Sequence, residues 1–232
     1  AIESLASEEE TIEEIVRDTL WHEIGHHFGF SDDEIHFIEE RRRKKSKAKT
    51  NAFIFHGTGG SPEENWFPWL KQELEKRGCK TTVPQFPTPE NQTPERWMRT
   101  FEKYLPQITS QTILIGHSLG GTFLLRLLEK LKTPIKLAVF ISSPIGILPI
   151  KNYETDKPFL KEPFQWATIK KNAKNFIVFH SDNDPFVCLE NGKALAKNLG
   201  VELTLVKNAG HFNKHAGYAK FEALLEDINR FL

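Results

Sequence analysis

The chain has 232 residues, enough for one α/β domain with a full hydrophobic core and a smaller appended segment. Its charged fraction of 27% and mean hydropathy of -0.44 are typical of a globular protein in water, and no apolar run is long enough to cross a membrane. The two cysteines have neither disulfide nor metal-site spacing, which favours a reducing, cytoplasmic location.

Charge is distributed unevenly along the chain, although the net charge is zero. Residues 1–40 carry 13 acidic side chains and one basic side chain, whereas residues 41–49 carry seven basic side chains and no acidic one. Such a basic run binds nucleic acid or anionic lipid in some proteins, but it is more often a solvated linker or helix end. Because no aromatic side chain interrupts it to stack on bases, we favour the linker and expect neither a nucleic-acid nor a membrane partner.

Two helices are predicted at the start of the chain. The first covers residues 8–28 and ends near Gly29, and the second covers residues 32–45. Ser31 and Asp32 are both candidates for the N-cap of the second helix, because either side chain accepts a hydrogen bond from a free backbone N–H.

The first predicted helix carries a pattern that suits a zinc ion. His22 and His26 are one turn apart on the same face, so their two imidazoles can bind one metal ion, and Glu23 lies where a general base for a bound water would be. Asp32 follows the turn at Gly29 and offers an oxygen as a third ligand. The alternative is a helical hairpin without a metal.

Residues 10–42 resemble the C-terminal part of the small bacterial zincin-like metallopeptidases, whose pattern is H-E-x-x-H-x-x-G-x-x-D, and every motif position is filled. The resemblance implies zinc as a cofactor of this segment. A peptidase also needs a sheet ahead of the helix to hold an extended peptide, whereas the preceding residues are acidic and helical in pattern. We therefore interpret residues 1–49 as an acidic helical segment with a basic linker, a partial zincin-like domain.

The rest of the chain, residues 50–232, alternates short apolar runs with amphipathic stretches, which predicts a mostly parallel sheet covered by helices on both faces. Residues 144–170, where proline recurs, are expected to be the least regular part of this domain. This segment is placed to form a cap or pocket wall over an active site. Predicted strands cover residues 52–55, 80–83, 113–115, 136–141, 175–180 and 201–206, and predicted helices cover residues 64–77, 94–105, 119–128, 188–199 and 218–232.

Residues 113–128 contain the pattern G-x-S-x-G between a buried strand and a helix, which predicts a nucleophile elbow. Gly116 and Gly120 are expected because a β-carbon at either position would clash where the strand and the helix crowd each other. Ser118 is then exposed above the sheet. The Leu119 N–H, at the positive end of the helix dipole, is a candidate donor to an oxyanion.

A glycine-rich loop over residues 56–62 follows the first strand of this part. Neither G-K-[ST] nor G-x-G-x-x-G is present, so a phosphate-binding loop is not favoured. We expect the loop backbone to approach the reaction centre, with Thr58 or Gly59 donating the second oxyanion N–H. His56 is interpreted as a packed, hydrogen-bonded structural histidine.

A serine nucleophile needs a base that takes its proton and a carboxylate that orients the base. Candidate acids, Asp182 and Asp184, follow one predicted strand, and candidate bases, His211 and His215, follow another. Because parallel strands end at one edge of the sheet, these side chains are expected to meet Ser118 there. The order Ser…Asp…His is that of α/β-hydrolases.

Four motifs in residues 50–232 resemble those of the small serine hydrolases of the α/β-hydrolase superfamily, the family that includes retinoblastoma-binding protein nine. The motifs are H-G-T-G-G-S-P-E-E-N-W-F-P-W-L at 56–70, G-H-S-L-G-G-T at 116–122, S-D-N-D-P-F-V at 181–187 and N-A-G-H-F-N at 208–213. The resemblance implies an α/β-hydrolase domain over residues 50–232 that needs no cofactor. It also implies Ser118 as nucleophile, Asp184 as acid and His211 as base.

The resemblance implies a metal-independent, carboxylesterase-like serine hydrolase that acts on small esters, amides or short peptides. Two alternatives belong to other functional classes. One is a zinc metallopeptidase or a bifunctional chain that uses the N-terminal motif, and the other is a non-catalytic binding protein on a hydrolase fold. The substrate and the oligomeric state stay open at this point.

Overall fold

The computed structural model describes residues 12–38 and 50–232. The chain divides into two compact units, residues 1–48 and residues 49–232. Three predicted features lie wholly or partly outside the described residues: the basic run at residues 41–49, the first helix before residue 12 and the second helix after residue 38. Within the two described ranges, no helix is both long enough and apolar enough to span a membrane.

The N-terminal unit contains two helices joined by a tight turn. Helix α1 covers Ile12–His27, and helix α2 covers residues 32–38 of the described chain. Ser31 is the N-cap of α2: its Oγ accepts a hydrogen bond from the Glu34 N–H (3.4 Å), and the Glu34 carboxylate accepts one from the Ser31 N–H (2.9 Å). This reciprocal capping box decides for Ser31 over Asp32.

The second unit is built on a six-stranded sheet in the order β2-β1-β3-β4-β5-β6, and every neighbouring pair is parallel. The predicted parallel sheet is therefore confirmed. The strands are β1 (Asn51–Phe55), β2 (Lys80–Thr82), β3 (Thr112–His117), β4 (Leu137–Ile141), β5 (Phe176–Ser181) and β6 (Leu203–Val206).

Helices cover both faces of this sheet, so the central strands are apolar on both sides. In β3, Leu114 packs into the core on one face, whereas Ile113 and Ile115 pack into the core on the other. The helices are α3 (Phe67–Lys76), α4 (Pro94–Phe101), α5 (Leu119–Leu128), α6 (Tyr153–Leu160), α7 (Trp166–Lys171), α8 (Leu189–Leu199) and α9 (Glu222–Asn229), with 3-10 turns at Glu102–Gln107 and Lys214–Ala216.

The segment expected to be least regular, residues 144–170, contains the two short helices α6 and α7. Pro158 is inside α6 and removes one helical hydrogen bond. Tertiary contacts compensate: Phe159 is fully buried, and its carbonyl accepts a hydrogen bond from Arg126 Nε (3.0 Å). Packing against the core therefore overrides the local preference of a proline-rich sequence.

The last helix is shorter than the predicted span of residues 218–232. Asn213 caps a separate 3-10 turn by accepting a hydrogen bond from the Ala216 N–H, and this turn ends at Gly217 with φ +89°. The chain therefore re-enters a regular helix only at Glu222.

The turn between β3 and α5 has the geometry of a nucleophile elbow. Ser118 has φ 54° and ψ -128°, a sparsely populated conformation for a residue with a side chain. A β-carbon on Gly116 would lie 2.4 Å from Gly121 Cα, and one on Gly120 would lie 2.2 Å from the Phe55 carbonyl oxygen. The predicted need for glycine at both positions is confirmed.

Replacing Gly120 with alanine should therefore force α5 away from β1. We expect Gly120→Ala to lower the free energy of unfolding by about 3 kcal/mol, because the contact is with rigid backbone. Gly200→Ala is the matched control: this glycine ends α8 with φ +80° and has open space around it, so only backbone strain of about 1 kcal/mol is expected. Urea denaturation measures both values, and equal losses would contradict the steric explanation.

Candidate active site

The C-terminal ends of the parallel strands surround a cavity of about 300 Å³. The loop after β1 contributes Thr58, the elbow after β3 contributes Ser118, and the loops after β5 and β6 contribute Phe186 and His211. Asn152, from the segment before α6, lines the same cavity. This is the sheet edge at which open α/β sheets bind ligands.

Ser118 is held between the elbow and the loop after β1. A β-carbon on Gly57 would lie 2.8 Å from Ser118 Cβ and 3.1 Å from its Oγ. The absence of a side chain at Gly57 therefore lets the loop backbone approach the serine closely. No hydrogen bond joins Ser118 Oγ to His211 in the described chain, although both line the cavity; in free enzymes this contact is often looser than in substrate complexes.

The side chain of Asp184 is fully buried, and both of its carboxylate oxygens contact His211. The distances from His211 Nδ1 to Asp184 Oδ2 and Oδ1 are 2.8 and 3.0 Å. Asp184 Oδ1 also accepts hydrogen bonds from the backbone N–H groups of Phe186 (2.8 Å) and Val187 (3.1 Å). Burial disfavours the carboxylate, but these hydrogen bonds and the His211 ring outweigh burial, so the pKa of Asp184 is lowered and the group is ionised.

The two rival residues occupy other positions. Asp182 Oδ1 accepts a hydrogen bond from the Asn208 N–H (2.7 Å) and so joins the loops after β5 and β6. His215 lies on the 3-10 turn Lys214–Ala216 and lines the cavity. The contact with Asp184 belongs to His211, so the structure brings together one acid and one base from the two candidate pairs.

The loop that carries His211 is fixed by two rings that the sequence analysis did not single out. His117 Nε2 lies 2.8 Å from the His211 carbonyl oxygen, and Trp66 Nε1 donates to the Phe212 carbonyl oxygen at 3.0 Å. The His211 ring stacks on Phe186, with ring centroids 4.7 Å apart. Both anchoring residues lie inside the quoted motifs, but nothing in the motifs shows which carbonyls their side chains reach.

His117 is neutral in the folded protein. Burial is the main cause that lowers its pKa to about 3, and the neighbouring His211 ring lowers it further. A carbonyl oxygen only accepts, so the hydrogen of the neutral ring must be on Nε2. Neutral His117 therefore donates a hydrogen bond from the elbow to the loop that carries His211.

Of the two proposed loop donors, only one is free. The Gly59 N–H donates to Thr88 Oγ1 at 2.8 Å, whereas the Thr58 N–H has no acceptor within the described residues. Leu119 opens α5, so its N–H has no intrahelical acceptor. The N–H groups of Thr58 and Leu119 are therefore both without a hydrogen-bond acceptor in the described chain, and Thr58 lines the cavity.

His56 has the contacts expected of a structural histidine. It is fully buried, its Nδ1 lies 2.9 Å from the Gly57 carbonyl oxygen, and its Nε2 accepts a hydrogen bond from the Phe86 N–H at 3.0 Å. Burial lowers the pKa of His56, which matches this neutral pattern of one donor and one acceptor. The ring joins the end of β1 to the proline-rich segment after β2.

In the N-terminal unit, the three candidate metal ligands converge. His22 Nε2 and His26 Nε2 are 3.3 Å apart, and Asp32 Oδ1 is 3.7 Å from the first and 3.1 Å from the second. A β-carbon on Gly25 would lie 2.8 Å from Ile35 Cδ1, so this glycine lets α2 lie close to α1 and brings Asp32 to the two rings.

A family model described as serine hydrolase matches residues 52–230. The chain belongs to the serine hydrolase family. A second model, described as zincin-like metallopeptidase, matches residues 1–42. Both matches agree with the resemblances drawn from the motifs.

Two known proteins are similar to this chain. The YdeN protein of Bacillus subtilis strain 168 is 27% identical over 186 residues, which cover 77% of this chain and 94% of YdeN. The crystal structure of the B. subtilis ydeN gene product superposes with a TM-score of 0.74 over 78% of this chain and 98% of that chain. Est1E from Butyrivibrio proteoclasticus, solved with ferulic acid bound, shares the fold at 17% identity, with a TM-score of 0.61 over 81% of this chain and 90% of its own. The α/β-hydrolase fold expected from the sequence is confirmed.

The buried neutral state of His117 makes the free energy of unfolding of the protein depend on pH. An imidazole in the unfolded chain titrates near pH 6.5, whereas in the folded protein its pKa is about 3. Between these values the unfolded state binds more protons, so stability falls as the pH is lowered from about 6.5.

We expect His117→Gln, which keeps an amide donor near the position of Nε2 but does not titrate, to lose thermal stability less steeply between about pH 6.5 and pH 4.5 than the wild type. Unfolding temperatures measured across this range test the expectation. The other buried histidines whose pKa is lowered, His56 and His180, keep part of the slope in both proteins. If the unfolding temperatures of wild type and variant fall equally steeply with pH, the expectation for His117 is contradicted.

Proposed function

We propose that residues 50–232 hydrolyse small esters, amides or short peptides through Ser118, with His211 as general base and Asp184 as the acid that orients it. The observation that carries this proposal is the bidentate contact between Asp184 and His211 Nδ1 (2.8 and 3.0 Å), at the cavity into which a strained elbow presents Ser118. The contact keeps Nδ1 protonated and leaves Nε2 as the basic nitrogen.

In the proposed mechanism, Ser118 Oγ attacks the substrate carbonyl carbon while His211 Nε2 takes its proton. The carbonyl oxygen becomes an oxyanion that accepts hydrogen bonds from the N–H groups of Leu119 and Thr58. Collapse of this intermediate breaks the bond to the alcohol or amine, which receives the proton from His211. Water, deprotonated by the same nitrogen, then adds to the acyl carbon; the bond from that carbon to Ser118 Oγ breaks, Oγ takes the proton back from His211, and the acid is released. Asp184 stabilises the imidazolium in both halves, and no step requires a cofactor.

The size of the cavity favours small substrates. Its volume of about 300 Å³ is at the lower end of the usual range for ligand pockets. Phe186 offers an apolar surface beside the base, and Asn152 and Lys214 offer polar groups at the wall. A short acyl group with a polar leaving group fits this mixture of surfaces.

Ser118→Ala should abolish covalent labelling by a fluorophosphonate probe and lower kcat for a short aryl ester by at least about 10⁴-fold, because the nucleophile is lost. Ser110→Ala, a serine before β3, is the matched control and should label like the wild type. Gel fluorescence and initial rates are the measurements. Persistent labelling of Ser118→Ala would refute the nucleophile, and an unlabelled, inactive wild type would favour a binding protein.

We also propose that His22, His26 and Asp32 bind one zinc ion. In a tetrahedral zinc site with metal–ligand bonds of about 2.0–2.2 Å, the ligand atoms lie about 3.3–3.5 Å from one another. The three distances between the candidate ligand atoms here are 3.1, 3.3 and 3.7 Å. A bound zinc ion would supply Lewis-acid activation of water, for which Glu23 is the candidate base.

Full-length protein purified with equimolar zinc should contain about one zinc ion per chain. We expect His22→Ala to lose this metal, because two remaining ligands bind zinc weakly, whereas His27→Ala, on the same helix but outside the ligand cluster, should retain it. Metal analysis after gel filtration measures the ratio. A wild-type protein without zinc would exclude the site.

A further inference from the structure

A second buried carboxyl group lies near the active site without a cationic partner. Asp156, on α6, is 2% exposed and forms no ion pair in the described chain. Its Oδ1 accepts hydrogen bonds from Thr58 Oγ1 at 2.5 Å and from Gln92 Nε2 at 2.9 Å. Burying a carboxyl group away from any cation is costly, so its hydrogen bonds must matter to the fold or to the site.

These hydrogen bonds belong to a closed network. Gln92 Nε2 also lies 3.0 Å from Thr58 Oγ1, and Gln92 Oε1 accepts from Thr88 Oγ1 at 2.6 Å. Thr88 Oγ1 in turn accepts from the Gly59 N–H at 2.8 Å. The network therefore links α6, the proline-rich segment after β2 and the loop after β1.

The sequence of that loop explains why the network attaches where it does. Gly57, Gly59 and Gly60 have no side chains, so Thr58 carries the loop's one side chain over residues 57–60. Gly59 has φ +69°, which glycine adopts without steric cost, and its lack of a β-carbon lets this backbone rotate unless it is held. The Thr58 hydroxyl and the Gly59 N–H, both engaged by the network, are thus the groups through which the surroundings orient the Thr58 peptide.

We propose that Asp156 and Gln92 are positioning residues, which act through the Thr58 hydroxyl to hold the Thr58 N–H in line with the developing oxyanion. The inference rests on the proposed function, in which that N–H is one of the two oxyanion donors. Asp156 itself makes no contact with the reacting atoms. A donor displaced by about 1 Å loses most of its effect on the transition state, so the network sets kcat while substrate binding depends on the cavity wall.

Thr58→Val tests the inference because it keeps the shape and the backbone N–H of Thr58 but removes the hydroxyl. With a short aryl ester at pH 8, where Asp156 is ionised because burial raises its pKa only to about 6, we expect kcat to fall about 10- to 100-fold with KM changed less than about threefold. Asp156→Ala should have a similar effect. Thr58→Ser, which keeps the hydroxyl, should restore kcat to within about threefold of the wild type.

The double variant separates positioning from a general loss of structure. If Asp156 acts through Thr58, adding Asp156→Ala to Thr58→Val should lower kcat by less than about twofold further. Independent, multiplicative losses, or a kcat unchanged in Asp156→Ala, would overturn the proposal. A large fall in kcat in Asp156→Ala without a comparable fall in kcat in Thr58→Val would also overturn the proposal.

Failure of the proposed function has a different signature. In that case Ser118→Ala would hydrolyse the ester as fast as the wild type, and the Thr58 N–H would have no oxyanion to stabilise, so the positioning role would fall with it. If Ser118→Ala is inactive and Asp156→Ala is fully active, the function stands and only the positioning role is refuted. Unfolding temperatures of each variant, compared with the wild type, identify any loss of folded protein.

Discussion

The close approach of α5 to β1 and β3 is the constraint on which the candidate site depends. At Gly116 and Gly120 the helix and the strands are so near that a single methyl group would collide with backbone. Gly121 is equally restricted, because a β-carbon there would lie 1.8 Å from Ser143 Oγ. Ser118 holds φ 54° because packing on all sides leaves the turn no other path, so the strain at the serine is sustained by the core.

The elbow also fixes the loop that carries His211, the proposed base. His117 immediately precedes Ser118, yet its ring reaches the carbonyl of His211, 94 residues further along the chain. A neutral imidazole is suited to this place, since a charged ring would have to be desolvated at high cost. Trp66 supports the next carbonyl of the same loop. Ser118 and His211, the proposed nucleophile and base, are therefore held relative to each other by hydrogen bonds that buried rings donate to the backbone of the His211 loop.

The two proposed sites on this chain differ in how deeply their residues are buried and in which elements hold them in place. Asp184 is fully buried, and His211 is 7% exposed in a loop held by several elements. The His22, His26 and Asp32 cluster is more exposed and is held by a short hairpin whose described contacts include the Ser31–Glu34 capping box and the packing of Gly25 against Ile35. Bound zinc would itself add stability to such a small unit, because metal binding and folding are coupled. The hydrolase steps derived for Ser118 do not depend on that cluster.

Local sequence was enough to predict the parallel sheet, the elbow with its glycines, a helix cap at Ser31 or Asp32 and the set of residues that meet at one sheet edge. Each of these depends on the periodicity of a few neighbouring residues or on the rule that parallel strands end together. Other features depended on hydrogen bonds between distant segments: the engagement of Gly59 by Thr88, the use of Asp182 to join two loops, the helix around Pro158 and the contact of Asp156 with Thr58. Such contacts leave no periodic pattern in either segment, so only the tertiary structure decided which loop N–H is free, which acid contacts His211 and which buried carboxyl group contacts Thr58.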